Sequence, residues 1–263
     1  MSNIKTIVKV MNFQALIHVD SAHKAADKYL ALEKDVSHMI GVIENNRNLS
    51  LDNKALKVDE KAPRLRIYVG SDLGFCGVVN SAVNQELLKE KGKNTLIIIG
   101  KKIHTKHKVA LRLSRDELEN NYDKIEKIFE DGVKNKLYSG IDIFYNHYYN
   151  MSHISPIMKT IYPIAIEKTD DESLYRDDFM IEGGDVSQIL QSLTVTYLNY
   201  EMRSAIVNSY ASENILRQQA TNESLKHIDE MEAAKRWEER KKKNAQSVSR
   251  IIDSFVKTKY RAE

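Results

Sequence analysis

The stretch IYVGSDLGFCGVVN, residues 67–80, sets the chain's single cysteine, Cys76, among three glycines, Gly70, Gly74 and Gly77, directly after a β-branched and aromatic run. Three kinds of chemistry fit such residues. A glycine loop between a strand and a helix can hold phosphate on its backbone N–H groups. A thiol at a helix N-terminus can act as a nucleophile or redox group, because the helix dipole favours the thiolate. The same composition also makes a tight turn and nothing more. Residue types decide against phosphate. A P-loop needs Gly-Lys and then Ser or Thr, and here Gly74 is followed by Phe75. A dinucleotide fingerprint needs glycine at position 72, where the carboxylate of Asp72 repels pyrophosphate, and the next strand-like run ends in Gly100, Lys101 and Lys102 instead of an acid for ribose. With no second cysteine and no histidine close in sequence, Cys76 is expected to be buried and inert. Asn80 and Ser81 are expected to cap the following helix.

The remaining chemical candidates are weaker. His104-x-x-His107 is half of a metal site without Cys, Asp or Glu at ligand spacing, so neither metal nor cofactor is expected. KRWEERKKK, residues 235–243, places Lys235, Arg236, Arg240, Lys241, Lys242 and Lys243 around the only tryptophan. On a helix such a run is a solvated face, a nucleic-acid or anionic-membrane contact, or a contact with an acidic partner. Further on, Ile251, Ile252, Phe255 and Val256 recur at i, i+1, i+4 and i+5 and form one apolar stripe, for which Ile4 and Ile7 of the first segment are expected to supply part of the cover.

Composition narrows the classes. A single cysteine excludes an intrachain disulfide. MSNIKTIVKV has no leader pattern, and the longest aliphatic run, residues 96–99, is far too short to span a bilayer, so a cytoplasmic chain with no direct membrane insertion is expected. The 40 basic and 37 acidic residues nearly cancel, which argues against a dedicated nucleic-acid binder.

The elements that must position these residues follow from punctuation. Every glycine and proline lies between Gly41 and Gly184. Before that stretch, apolar or small residues from Ile4 to Ile43 recur every ~3.5 residues, a coiled-coil period. After it, residues 186–263 contain no helix breaker, and Asp185 with Gln188 reads as a capping box behind Gly183 and Gly184. Two long amphipathic helices at opposite ends of one chain bury their stripes most simply against each other, as an antiparallel coiled coil. Between them RLRIYVG, NTLIIIG and GIDIFYN read as strands, separated by helical stretches at 81–91 and 117–136, and MKTIYPIAI as an added strand near an edge. The fold class is therefore α/β, a central Rossmann-like domain with a mostly parallel sheet (64–182) flanked by coiled-coil helices at 1–50 and 185–263.

The loop also carries a resemblance. Ser71, Asp72, Gly74, Cys76, Gly77 and Asn80 match the signature after the first strand of the gamma subunit of F-type ATP synthases. The segment from Tyr145 and Asn146 to Pro156 and Pro163 is similar to a second family segment. Ala205, Ser209, Ala211, Ser212, Glu213, Arg217 and Ala220 resemble the C-terminal helix pattern. The resemblance implies a non-catalytic central rotor stalk standing in a ring of alternating alpha and beta ATPase subunits. It further implies an epsilon-like subunit and a membrane ring in a standard synthase, and a place on the inner face of the cell membrane. In that setting the stripe at Ile251, Ile252, Phe255 and Val256 would turn in an apolar collar of the ring, and the basic run would face beta subunits. There are departures: Val78 stands where the family has glycine, the Lys-Ile-Thr motif of the first helix is missing around 19–24, and Asn244 and Ala245 replace an Arg-Gln pair. They leave open a specialised paralogue driving something other than a proton ring. The alternatives are a coiled-coil adaptor without a rotary partner, and a nucleic-acid binder using the basic tail.

Overall fold

The computed structural model describes residues 2–44, 58–74, 76–165 and 185–259, with the side chains of Ser2 and of 255–259 excluded. Gly183 and Gly184 lie outside the described residues. The chain divides into two compact units, residues 15–217 and residues 1–14 with 218–263.

In the larger unit a five-stranded sheet has the order β3-β2-β1-β4-β5. β1 (Arg64–Val69), β2 (Thr95–Ile99), β3 (Leu111–Leu113) and β4 (Gly140–Asn150) are parallel neighbours. β5 (His153–Tyr162) turns back antiparallel on β4 and forms one edge, where Pro156, which lacks an N–H, is tolerated. The strands are nearly continuous apolar runs because both faces are covered. On one face Leu65, Ile67, Val69, Ile97, Ile99, Ile141 and Ile143 enter the larger core cluster. On the other, Tyr68, Leu96, Ile98 and Phe144 pack with Val83 and Leu87 of α2 (Gly77–Leu88).

Helical periodicity supplies the covering layers. In α4 (Tyr122–Lys134), Tyr122, Ile125, Phe129 and Val133 form a buried stripe. α3 (Arg115–Asn120) precedes it, opened by a capping box of Ser114 and Glu117. The remaining cover on that face comes from Val36, Ile40 and Ile43 of α1 (Ser2–Glu44) and from Leu190, Leu198, Met202 and Ala205 of α5 (Val186–Lys259). The helices run antiparallel: Tyr29 lies 6.5 Å from Tyr200 and His18 lies 5.5 Å from Tyr210, ring centre to ring centre. At the start of α5 the Asp185 side chain accepts from the backbone of Ser187 at 2.9 Å, one residue earlier than the expected partner Gln188.

In the smaller unit the same two helices continue side by side. Asn12 Nδ2 donates to the carbonyl of Gln218 (3.1 Å) and lies 2.9 Å from both Thr221 Oγ1 and Asn222 Oδ1. Lys5 pairs with Asp229 and, at 3.2 Å, with Glu232. The first helix thus runs out alongside residues near 232, roughly 30 Å short of the apolar stripe at a rise of 1.5 Å per residue. The cover expected from Ile4 and Ile7 is therefore not there, and every residue from 233 to 254 is exposed.

Candidate functional site

The turn after β1 is built from the chain's own polar groups. Asn80 lies in the first turn of α2, which begins at Gly77 behind Cys76, and so does not cap the helix as expected. Its side chain reaches back instead: Oδ1 accepts from the Ser71 backbone at 3.0 Å and Nδ2 donates to Ser71 Oγ at 2.7 Å. Asp72 accepts from the backbone N–H of Lys101 at 2.7 Å and of Arg115 at 2.8 Å, joining the turns after β1 and β2 to the first turn of α3. The chain passes closely here. A side chain at Gly100, where φ is +122°, would meet the carbonyl carbon of Gly70 at 3.0 Å, and one at Gly70 would lie 2.6 Å from Ile103.

This is the end of a parallel sheet where other α/β proteins bind phosphate. Here four backbone donors are taken within the chain. Gly70 N–H goes to Ile99 O (2.9 Å), Lys102 N–H to Ser71 O (3.2 Å), and the Lys101 and Arg115 N–H groups to Asp72.

Beneath the turn lies a buried charge cluster. Glu213 of α5, 2% exposed, accepts from Arg217 Nη2 at 2.6 Å and faces Arg115 Nη1 at 3.4 Å. Arg217 also donates to Asn214 Oδ1 at 3.0 Å. Cys76 completes it, its Sγ 3.3 Å from the carbonyl of Gly74, 3.4 Å from that of Glu213 and 3.9 Å from Arg217 Nη2. Burial, helped by the Glu213 charge, pushes the thiol up to about 11 from 9.0, so it is neutral at pH 7. Burial likewise pushes the Glu213 carboxyl up, with Arg115 and Arg217 pulling the other way. Ser212 Oγ donates to the carbonyl of Asn146 at 2.9 Å, so residues of the second and third motif segments meet.

The other sequence candidates are not brought together. His104 and His107 lie on the loop before β3, and among the described residues no group of three or more His, Cys, Asp or Glu could hold a metal. Lys235, Arg236, Arg240, Lys241, Lys242 and Lys243 are exposed, with Lys241 over the Trp237 ring at 5.3 Å and Arg236 3.8 Å from Glu232. Ile251 and Ile252 are 55% and 57% exposed; the side chains of Phe255 and Val256 lie outside the described ones. Among the described residues no helix is long and apolar enough to cross a membrane. Sequence reasoning missed Arg115, which lies 98 residues from its Glu213 partner. Neither spacing nor residue type links the two.

The larger unit is a mostly parallel α/β domain, one face of whose sheet is covered in part by two long antiparallel helices. The chain matches the protein-family model described as ATP synthase over residues 1–252 and belongs to that family. It is similar to the ATP synthase gamma chain of Mycoplasma mobile, 27% identical over 248 residues that make up 88% of this chain and 86% of the relative. It is also similar to that of Wolbachia pipientis subsp. Culex pipiens, 25% identical over 250 residues, 87% and 86% of the two chains. Among solved structures its fold is similar to a central stalk/c-ring chain of the Tetrahymena thermophila mitochondrial ATP synthase, with a TM-score of 0.54 at 18% identity over 83% of this chain and 99% of that one.

Proposed function

We propose that the chain is the central rotor shaft of a rotary ATPase. It catalyses nothing itself and couples ATP hydrolysis or synthesis in a surrounding ring of alpha and beta subunits to rotation. Within a family whose relatives are named gamma chains, the observation that carries this reading is the exposed run of α5. From 233 to 254 no residue is covered, although Trp237, Val248, Ile251 and Ile252 lie among them. Helices in proteins gain most of their stability from packing of an apolar face. A ring around it supplies that packing: an apolar collar at Ile251, Ile252, Phe255 and Val256, and acidic beta-subunit surface opposite Lys235, Arg236, Arg240, Lys241, Lys242 and Lys243. Non-directional apolar contact suits a turning shaft, because it is not tied to fixed hydrogen-bond partners. An epsilon-like subunit and a membrane ring complete the assembly in a standard synthase, on the inner face of the cell membrane. Asn244 and Ala245, in place of the Arg-Gln pair, favour a second reading in which the torque drives another process.

Co-purification tests it. A tagged full-length chain expressed in its own cell should retain two larger P-loop ATPase subunits in a complex that hydrolyses ATP. Recovery of the folded chain without them would leave the coiled-coil adaptor reading standing and remove the rotor.

A further inference from the structure

The four parallel strands begin at the end of the sheet opposite the Gly70–Asp72 turn, so the loops that lead into them share that end. At about 4.8 Å per strand they lie within roughly 15 Å of one another. Two of them are basic. Residues 89–94 carry Lys89, Lys91 and Lys93, and residues 104–110 carry Lys106 and Lys108. These loops adjoin, since Gly92, Asn94, His107 and Lys108 line one cleft. Lys91, Lys93, Lys106 and Lys108 are exposed and pair with no acid among the described residues, while Lys89 is held by Glu86 at 2.6 Å. The single acid of the two loops, Glu90, is buried and saturated: Oε1 accepts from Arg66 and Tyr68, and Oε2 from Asn94. The loop before β1 is mixed, with Asp59, Glu60 and Lys61, and the loop before β4 adds Lys136. Beside the basic loops Leu88, the last residue of α2, is 82% exposed, more than any other large apolar side chain described.

We propose that this end of the larger unit rests on an anionic lipid bilayer, with the four unpaired lysines at the headgroup phosphates and Leu88 at the boundary with the acyl chains. Charge alone would serve a polynucleotide as well, and three features favour the bilayer. The loops hold lysine and no arginine; a point charge on a flexible stem suits a laterally mobile field of headgroups, whereas fixed phosphates are usually read by the planar arginine fork. Neither basic loop carries an aromatic side chain on which a base could stack. A solvent-facing leucine among lysines gains nothing on a polynucleotide, but buries its apolar surface at the headgroup boundary of a membrane, where lysine stems reach outward to the phosphates. The inference goes beyond the rotary reading and does not depend on it, since every residue used belongs to the larger unit.

The test is co-sedimentation of the full chain with vesicles of phosphatidylcholine alone or with about a third phosphatidylglycerol. Binding should need the anionic lipid and should weaken as salt screens it. Each lysine near such a surface strengthens binding about fivefold, so changing Lys91, Lys93, Lys106 and Lys108 together to Gln should weaken it at least about tenfold. Leu88→Ser should weaken it about fivefold with every charge kept. Thermal unfolding confirms that each variant is folded, and the single lysine variants replace the fourfold one if it is not. The loss should be as large in a chain whose Lys241, Lys242 and Lys243 are already Gln, which separates this face from the basic tail. Equal binding to neutral vesicles, parent-like binding by the folded lysine variant or by Leu88→Ser, a loss that vanishes once the tail is neutralised, or tighter binding to a single-stranded RNA oligonucleotide than to the anionic vesicles would each overturn the proposal.

Discussion

Replacing Arg217 by methionine tests whether the cluster beneath the β1 turn is a matched set. The side chain is 7% exposed and its main charged partner, Glu213, is 2% exposed, so the substitution leaves a buried carboxylate whose remaining cation is Arg115 at 3.4 Å. Breaking a buried pair from one side costs about 3–5 kcal/mol, and the surviving arginine places this case near the lower end, about 3 kcal/mol. For a unit of this size 1 kcal/mol corresponds to a shift of about 2–4 °C, so Tm should drop by about 6–12 °C. Adding Glu213→Gln removes the stranded charge, and the double variant should return to within about 1 kcal/mol of the parent. Burial holds the Glu213 carboxyl above its ordinary 4.5 in the folded chain. Its contribution to stability is therefore fully present below that value and is lost as pH rises through the folded value. Removing a neighbour that lowers it enlarges that loss, so the deficit of Arg217→Met should be greatest at neutral pH and shrink toward pH 4. Thermal and urea unfolding followed by the near-UV tyrosine signal measure all of this. A single variant within 1 kcal/mol of the parent, or a double variant as unstable as the two singles added, would refute the account of a charge-matched cluster.

Cys76 should label slowly with a thiol reagent in the native chain and quickly in urea. Because its folded value is about 11 against an ordinary 9.0, stability should fall as pH rises through that window, and Cys76→Ser should lose this part of the fall. Asp72→Ala removes two charge-assisted bonds to backbone N–H groups and should cost about 2–4 kcal/mol, read as a Tm shift, while Asp72→Asn, which keeps one acceptor, should cost less; a Tm unchanged by Asp72→Ala would mean the turn is held by something else. Val248→Asp with Ile252→Asp should leave the unfolding of the free chain unchanged, since both residues are more than half exposed, but should weaken assembly with an ATPase ring. In the ring each stands to lose only the exposed half of its surface, about 1–1.5 kcal/mol per residue. Parent-like assembly and turnover by the double variant would count against a collar at this position.

How much of this was legible in the sequence depends on the range of the interaction. The long helices, the three core strands and their parallel order follow from period and punctuation, because those signals are local and repeated. β3 was not, since Leu111–Leu113 is three residues with the exposed Arg112 between its apolar neighbours, too short for any alternation to register. α2 begins four residues before the expected stretch because Gly77 and Asn80, which read as breaker and cap, serve other ends: the glycine opens the helix and the asparagine ties back to Ser71. The single helical stretch expected at 117–136 is two helices, α3 and α4, and α3 opens ahead of Glu117 because Ser114 to Glu117 is itself a capping box. β5 begins at His153, ahead of the expected run, because its first residues pair with β4 across a tight hairpin and alternate imperfectly. The half-buried ion pairs were out of reach altogether: Arg66 with Glu90 and Arg64 with Asp142 join residues 24 and 78 positions apart.

The two ends of α5 show why one helix can serve two environments. Toward its start the buried positions include Ala205, Ser209, Ala211 and Ser212, whose small side chains let neighbouring backbone come close, and polar groups there find fixed partners, as Ser212 does at Asn146 and Arg217 at Glu213. Such contacts are directional and define one register. Beyond 232 the character reverses: side chains lengthen, charges face solvent, and the apolar residues stand without cover. A segment held by directional bonds resists rotation against its neighbour, whereas one that offers only apolar area and mobile charge can exchange neighbours with little penalty, because apolar burial does not depend on which atoms are met. The change falls near the Lys5 pairs with Asp229 and Glu232, and in the rotor reading proposed above the run beyond them is the part that would meet changing partners.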